Sequence, residues 1–373
     1  MATFTGHLKG IVRVRVAAVV AASLATALCA PSAHAQGACG ADVNRNGIVD
    51  SADLGLVLSA WGSCSQCFAD FPSDADINRD LTVDSADLGA LLASWGATCT
   101  VPTWATVLEY TPPATVVTNP ALRAAIAATG RPWRVRMTAT PQIEMLLVPP
   151  GTFQMGCSPS LQLGCAADES PVHTVTLTNA FYLGRYELTQ NQWMAVMVTN
   201  GSYFRPPNYP NSGNRPAENI SWNMAKNFCS GLGLRLPTEA EWEYAYRAGT
   251  TTAYHSMPGN PNGTDNETLA GNIGWSELNS GMQTHDVGQL APNGLGFHDM
   301  AGNVKEWCND WFGPYSAKTQ TNPTGGPSTS GYRVLRGGAW NSPPYYMRSS
   351  KRSFDIPTFP FSWIQGLRVA RNP

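Results

Sequence analysis

Apolar positions at the start of the chain run together rather than alternate. Lys9, Arg13 and Arg15 precede an apolar stretch from Val16 to about Ala30, and Ala33-His34-Ala35 follows. A positive start, a short apolar run and a small-x-small ending predict a cleaved secretory signal over 1–35. About 15 apolar residues fall short of the ~20 that span a bilayer. No later run reaches that length, so a secreted protein, extracellular or periplasmic and free of the membrane after cleavage, is expected.

Two short helical patterns follow. Leu54, Val57, Leu58 and Trp61 share one helical face, and Leu88, Leu91, Leu92 and Trp95 repeat it, with Gly62 and Gly96 as expected C-terminal caps. The segment before each helix is also repeated. Asp42-Val-Asn-Arg-Asn-Gly-Ile-Val-Asp-Ser-Ala-Asp53 recurs 34 residues on as Asp76-Ile-Asn-Arg-Asp-Leu-Thr-Val-Asp-Ser-Ala-Asp87. Oxygen side chains fall at loop positions 1, 3, 5, 9 and 12, the spacing of an EF-hand calcium loop. They are Asp42, Asn44, Asn46, Asp50 and Asp53, then Asp76, Asn78, Asp80, Asp84 and Asp87; the carbonyls of Ile48 and Thr82 supply position 7. Calcium needs six to eight hard oxygens converging from a short chain. The second copy has Leu81 where the first has Gly47, so weaker calcium binding is expected there. Residues 36–100 resemble a dockerin, a small all-α module of two calcium loops each followed by a helix. The resemblance implies a cohesin-like scaffold protein as partner; a calcium-stabilised spacer is the plainer alternative.

Residues 101–142 read as a linker with one short helix over Pro120–Gly130. From 143 to 373 the pattern is short strands, short helices and many loops. Met145–Gly156 reads as strand, turn, strand, and Val172–Leu177 alternates as a strand. Thr189, Ser221 and Thr238 are expected helix N-caps, the last in a capping box with Glu241. With 35 Gly, 28 Pro, 12 Trp and only 13% charged residues, the chain is neither disordered nor a helical bundle. Its net charge of −2 offers no attraction to nucleic acid or an anionic membrane. An α+β fold low in regular structure is expected.

Nine cysteines occur, and Cys29 leaves with the signal. The remaining eight split into Cys39, Cys64, Cys67 and Cys99, then Cys157, Cys165, Cys229 and Cys308. Even sets in an exported protein favour disulfides, with connectivity open.

Six segments then carry a family resemblance: Phe153-Gln-Met-Gly156, Tyr186-Glu-Leu-Thr189, Arg235-Leu-Pro-Thr-Glu-Ala-Glu-Trp-Glu-Tyr244, Gly296-Phe-His-Asp-Met-Ala-Gly-Asn-Val-Lys-Glu-Trp307, Arg336-Gly-Gly-Ala-Trp340 and Gly366-Leu-Arg-Val-Ala-Arg371. Their order resembles the formylglycine-generating enzyme, or sulfatase-modifying factor, family. The resemblance implies a C-type-lectin-like fold rigidified by calcium and disulfides. It places one calcium site on Asp299, Glu306 and the carbonyls of Gly302 and Val304. A second would use Asn272 and the carbonyl of Ile273, with Glu277 or Asn279 as guesses. Glu241, Arg235, Arg336 and Arg368 are expected to form structural pairs. The family's oxidases hold copper(I) between two cysteines after Arg-Gly-Gly, because copper(I) demands soft thiolates. Those positions are Ser342 and Met347 here, and a family serine is Ala339. Copper is therefore not expected. His173, His255, His285 and His298 are scattered, without a His-x-x-x-His pair, so an iron site is not expected either.

The expected function is a calcium-bound binding or accessory module tethered through residues 36–100. Its ligand, a peptide, glycan or protein, would meet a cleft bearing Trp340, Tyr345, Tyr346, Arg348 and Trp363. The alternative is an active oxidoreductase of the family, or unfamiliar chemistry using Arg348, Asp355 or Ser342.

Overall fold

The structure, a computed structural model, describes residues 38–63, 75–78, 82–158, 164–358 and 362–373. The predicted signal, Cys64, Cys67, Asp80 and Leu81 lie outside these residues. The chain divides into two units, residues 1–101 and 102–373.

In the small unit the repeat gives two equal helices, α1 (Ser51–Ser59) and α2 (Ser85–Ala93). Asp50 and Asp84 cap them through the amides of Ala52 and Ala86. Asp53 and Asp87 close capping boxes, each accepting the amide of its own cap residue. Leu54 and Leu92 are half-buried and Leu58 is exposed, while Val57, Leu88 and Leu91 are buried as the pattern requires. Trp61 and Trp95 are not: they lie past the helix ends and are 44% and 48% exposed, because each helix stops two residues short of its tryptophan. Gly62 and Gly96 adopt the positive φ expected of residues ending a helix. The unit is not wholly helical, since β1 (Gly62–Ser63) and β2 (Thr82–Val83) pair antiparallel. Cys39 and Cys99 form a disulfide.

The large unit contains strands β3 (Ala105–Glu109), β4 (Arg134–Met137), β5 (Glu144–Val148), β6 (Gly151–Met155), β7 (His173–Leu177) and β8 (Phe181–Gly184). Further on come β9 (Gly274–Trp275), β10 (Ala301–Gly302), β11 (Lys305–Trp311), β12 (Gln320–Thr321), β13 (Arg333–Arg336), β14 (Arg352–Asp355), β15 (Gln365–Gly366) and β16 (Ala370–Arg371). Its helices are α3 (Pro120–Ala128), α4 (Gln190–Met197), α5 (Trp222–Ser230) and α6 (Glu239–Arg247). A five-stranded antiparallel sheet runs β16-β8-β5-β4-β3. Two further sheets are ordered β14-β13-β11-β15 and β12-β7-β6.

The segment expected to be a linker is thus part of the sheet. Val107, Val135 and Met137 bury one face of β3 and β4, and Thr111-Pro-Pro-Ala114 only separates β3 from α3. The run Met145–Val148 is buried throughout because β5 is covered on both faces. β7 shows the predicted alternation, with His173, Val175 and Leu177 inward. Thr189, Ser221 and Thr238 cap α4, α5 and α6. Trp242 and Trp307 fill the core. Cys157 and Cys165 are bridged, whereas Cys229 and Cys308 are free and buried, so the expected full pairing fails there. Burial pushes the Cys229 thiol up to about 12 and also raises that of Cys308.

Candidate binding surface

The chain reaches the candidate site through a buried guanidinium. Arg336, at the end of β13, ion-pairs with Glu243 and donates to the carbonyls of Ser349, Ser350 and Lys351, each at 2.8 Å. Gly337 and Gly338 follow at positive φ; a Cβ on Gly338 would lie 3.0 Å from the Tyr346 carbonyl. This close approach folds 339–348 back on itself. Ala339 and Met347 become buried, and Ser342 Oγ accepts the Ala339 amide at 3.1 Å. The hydroxyl thus closes a turn. The Met347 carbonyl accepts from Tyr246 Oη at 2.7 Å.

The five predicted cleft residues separate. Trp340 is only 6% exposed; its Nε1 donates to the Trp363 carbonyl at 3.0 Å. Arg348 is buried against Glu169 at 2.8 Å and donates to the Gly164 carbonyl. Neither is available to a ligand, because each completes a polar contact inside the fold. Asp355 accepts from Gln365 Nε2 at 2.8 Å, so Arg348, Asp355 and Ser342 are all engaged in local structure. Tyr345 and Trp363 are exposed, and Tyr346 is half-buried. Trp363 stacks on Tyr203 with ring centroids 4.0 Å apart, the two rings 47% and 46% exposed. Behind them Phe204 meets Trp340 and Tyr209 edge-on. Sequence reasoning missed Tyr203, which lies 160 residues before its partner in a loop without regular pattern.

Beneath that stack Glu218 is buried. One carboxylate oxygen accepts the Phe204 amide at 2.9 Å, and the other has no partner among the described residues. Burial pushes its carboxyl up to about 8.

The expected structural pairs form. Arg235 grips Glu241 with two hydrogen bonds at 2.6 and 2.8 Å. Arg368 binds Glu306 at 2.7 Å and also holds the carbonyls of Gly184 and His298. Trp242 Nε1 donates to the same carboxylate at 2.7 Å. The oxygens of Glu306 thus face a guanidinium and an indole. Asp299 accepts the Gly288 amide, and its second oxygen lacks a partner among the described residues. Gly302 and Val304 lie in buried backbone, where the Val304 amide donates to Glu187 at 2.9 Å. Asn272 is exposed and Ile273 buried. Asn279 spends its amide on the carbonyls of Gly271 and Gly274, and Glu277 is exposed.

Asp42 accepts the amides of Asn46 and Gly47, and Asn46 accepts that of Ile48. Asp53 and Asp87 also bind the amides of Asn44 and Asn78, at 2.9 Å each. Asp42, Asp53, Asp76 and Asp87 are all buried. Gly47 has φ +93°, the conformation its position demands. Among the described residues no cluster of three His, Cys, Asp or Glu is arranged to hold a metal ion, so any calcium site here depends on Asn and backbone oxygens as well.

Residues 115–373 match the model of the sulfatase-modifying factor enzyme 1-like domain. The chain belongs to this family. A formylglycine-generating enzyme of Streptomyces coelicolor is 37% identical over 166 residues, 40% of this chain and 50% of that protein. The serine/threonine-protein kinase pkn1 of Chlamydia pneumoniae is 32% identical over 253 residues, 61% of this chain and 38% of that protein. The chain therefore spans well under half of that relative. Among solved structures, Treponema denticola variable protein 1 superposes with TM-score 0.56 at 29% identity, covering 64% of this chain and 98% of its own. PvdO from Pseudomonas aeruginosa gives 0.50 at 28%, covering 62% and 95%. The sulfatase-modifying factor-like domain thus begins well before residue 143.

Proposed function

We propose that this protein is an exported binding or accessory module whose sulfatase-modifying factor-like domain does not generate formylglycine. The observation that carries the reading is the absence of cysteine after Cys308, with Ser342 and Met347 at the copper-ligand positions and both buried in local structure. A hydroxyl and a thioether do not replace two thiolates around copper(I). Ligand contact falls instead to the exposed rings of Tyr203, Trp363 and Tyr345. Stacked aromatic faces suit an extended peptide or a sugar ring. Relatives named as a kinase and as the chaperone protein LppX support a family not confined to one activity. Residues 36–100 act as a dockerin-like tether, with calcium held by the two loops and a cohesin-like scaffold as partner. The two disulfides suit an oxidising extracellular or periplasmic compartment.

Competition of the reduced protein against a copper(I) chelator tests the reading. No stoichiometric copper should be retained. Retention of one equivalent that survives S342A and M347L would place soft ligands elsewhere and overturn it.

A further inference from the structure

A separate cleft of about 620 Å³ opens in the large unit. It lies where the start of β8, the segment entering α6 and the residues around Asn322 meet, and it shares no residue with the Tyr203–Trp363 surface. Its volume falls within the range of small-molecule sites, roughly 300–1,000 Å³.

The charges along its wall are unequal. Arg235 and Glu241 cancel through their two-pronged pair. Arg131 and Lys226 also line the cleft, and neither has a carboxylate partner among the described residues. The Lys226 ammonium is positioned by Asn309 Oδ1 at 3.2 Å and lies 5.6 Å from the Trp222 ring centre. Asn309 is fixed in turn: its carbonyl accepts from Arg333, a guanidinium held 3.7 and 3.4 Å from the rings of Trp222 and Trp311. Beside the Arg235–Glu241 pair, these two cations give the wall a surplus of positive charge that attracts an anion.

The neutral part of the wall narrows the class. Asn179, Asn309, Asn372 and Thr324 offer amides and a hydroxyl, groups that both donate and accept as sugar hydroxyls do. Ala180 and Pro323, both partly exposed, add apolar surface, which suits the C–H face of a pyranose. We propose that this cleft binds an acidic glycan, with Arg131 and Lys226 taking the carboxylate of a uronate unit and the amides taking its hydroxyls. The proposal is independent of what binds at Tyr203 and Trp363.

Titration of the full chain with trigalacturonate, maltotriose and triglutamate by calorimetry tests it. Trigalacturonate should bind, and added salt should weaken it. R131Q and K226Q should each lower its affinity about tenfold or more, the scale of one charge-assisted hydrogen bond, without shifting the thermal transition. W363A should leave it unchanged. No binding of trigalacturonate, equal binding of maltotriose, tighter binding of triglutamate, or indifference to both charge variants would overturn the assignment. If R131Q or K226Q misfolds, the same comparison is made with N309A and N179A, for which a loss is expected and indifference overturns it.

Discussion

Buried carboxylates in the small unit rest on backbone amides, whereas four of those in the large unit rest on guanidinium groups. Asp53 and Asp87 each accept two loop amides. Glu169, Glu239, Glu243 and Glu306 instead meet Arg348, Arg352, Arg336 and Arg368. An amide stabilises an anion without cancelling its charge; a guanidinium does both. These four carboxylates of the large unit therefore have their countercharges in the same chain, and the small unit is where the proposed calcium would act. A loop-rich fold gains twice from arginine, because Arg336 and Arg368 also donate to backbone carbonyls, those of Ser350 and Gly184 among them.

The sharpest way to break this contrast is R336M. It leaves Glu243 half-paired, with Arg247 still present at 2.8 Å, and strips three carbonyls of their donor. Removing one partner of such a buried pair costs about 3–5 kcal/mol, so the large unit's denaturant midpoint should fall steeply. A loss below ~1 kcal/mol would show that the network is not what holds the domain.

Calcium supplies the next largest effect, and it should act on the other unit. At a hundredfold excess over Kd, a bound ion adds about 2.7 kcal/mol. Scanning calorimetry of the full chain should show one transition that drops with EDTA and recovers with calcium, and a second that does not move. D53N should abolish the recovery more fully than D87N, since the first loop keeps Gly47. Equal movement of both transitions would remove the distinction between the units.

Glu218 sharpens the contrast within the large unit, because it is an acid there without an arginine partner. Its folded value of about 8 lies above the ordinary 4.5. Between these values the folded state holds a proton that the unfolded chain has released, so stability declines as pH rises from about 4.5 to 8. The penalty is absent below that window and complete above it. E218Q should be more stable than the parent at pH 8 and similar at pH 4.5. A pH-independent difference between the two proteins would contradict this assignment.

Local signals in the chain reached far. The caps at Thr189, Ser221 and Thr238, the alternation of β7 and the repeated loops all follow from residues within a few positions of one another. What escaped was non-local. Arg348 meets Glu169 across 179 residues and Arg368 meets Glu306 across 62, so Arg348 looks like a ligand group until its partner is seen. β3 and β4 were hidden because strands of four or five residues between prolines carry too short a pattern; they are secured by the pairing of β4 with β5 and of β3 with β4. Tyr203 gains meaning only from Trp363. Trp340, expected in the ligand cleft, is drawn inward by the Gly337-Gly338 turn that precedes it.

The central claim is that this family member has lost thiolate-supported oxidation. It is tested most directly by incubating reduced, copper(I)-supplied protein with oxygen and a Cys-x-Pro-x-Arg peptide, and following the peptide mass. The cysteine should remain unconverted over many hours while a formylglycine-generating enzyme converts it in parallel. Appearance of the formylglycine mass above a no-protein control would contradict the account.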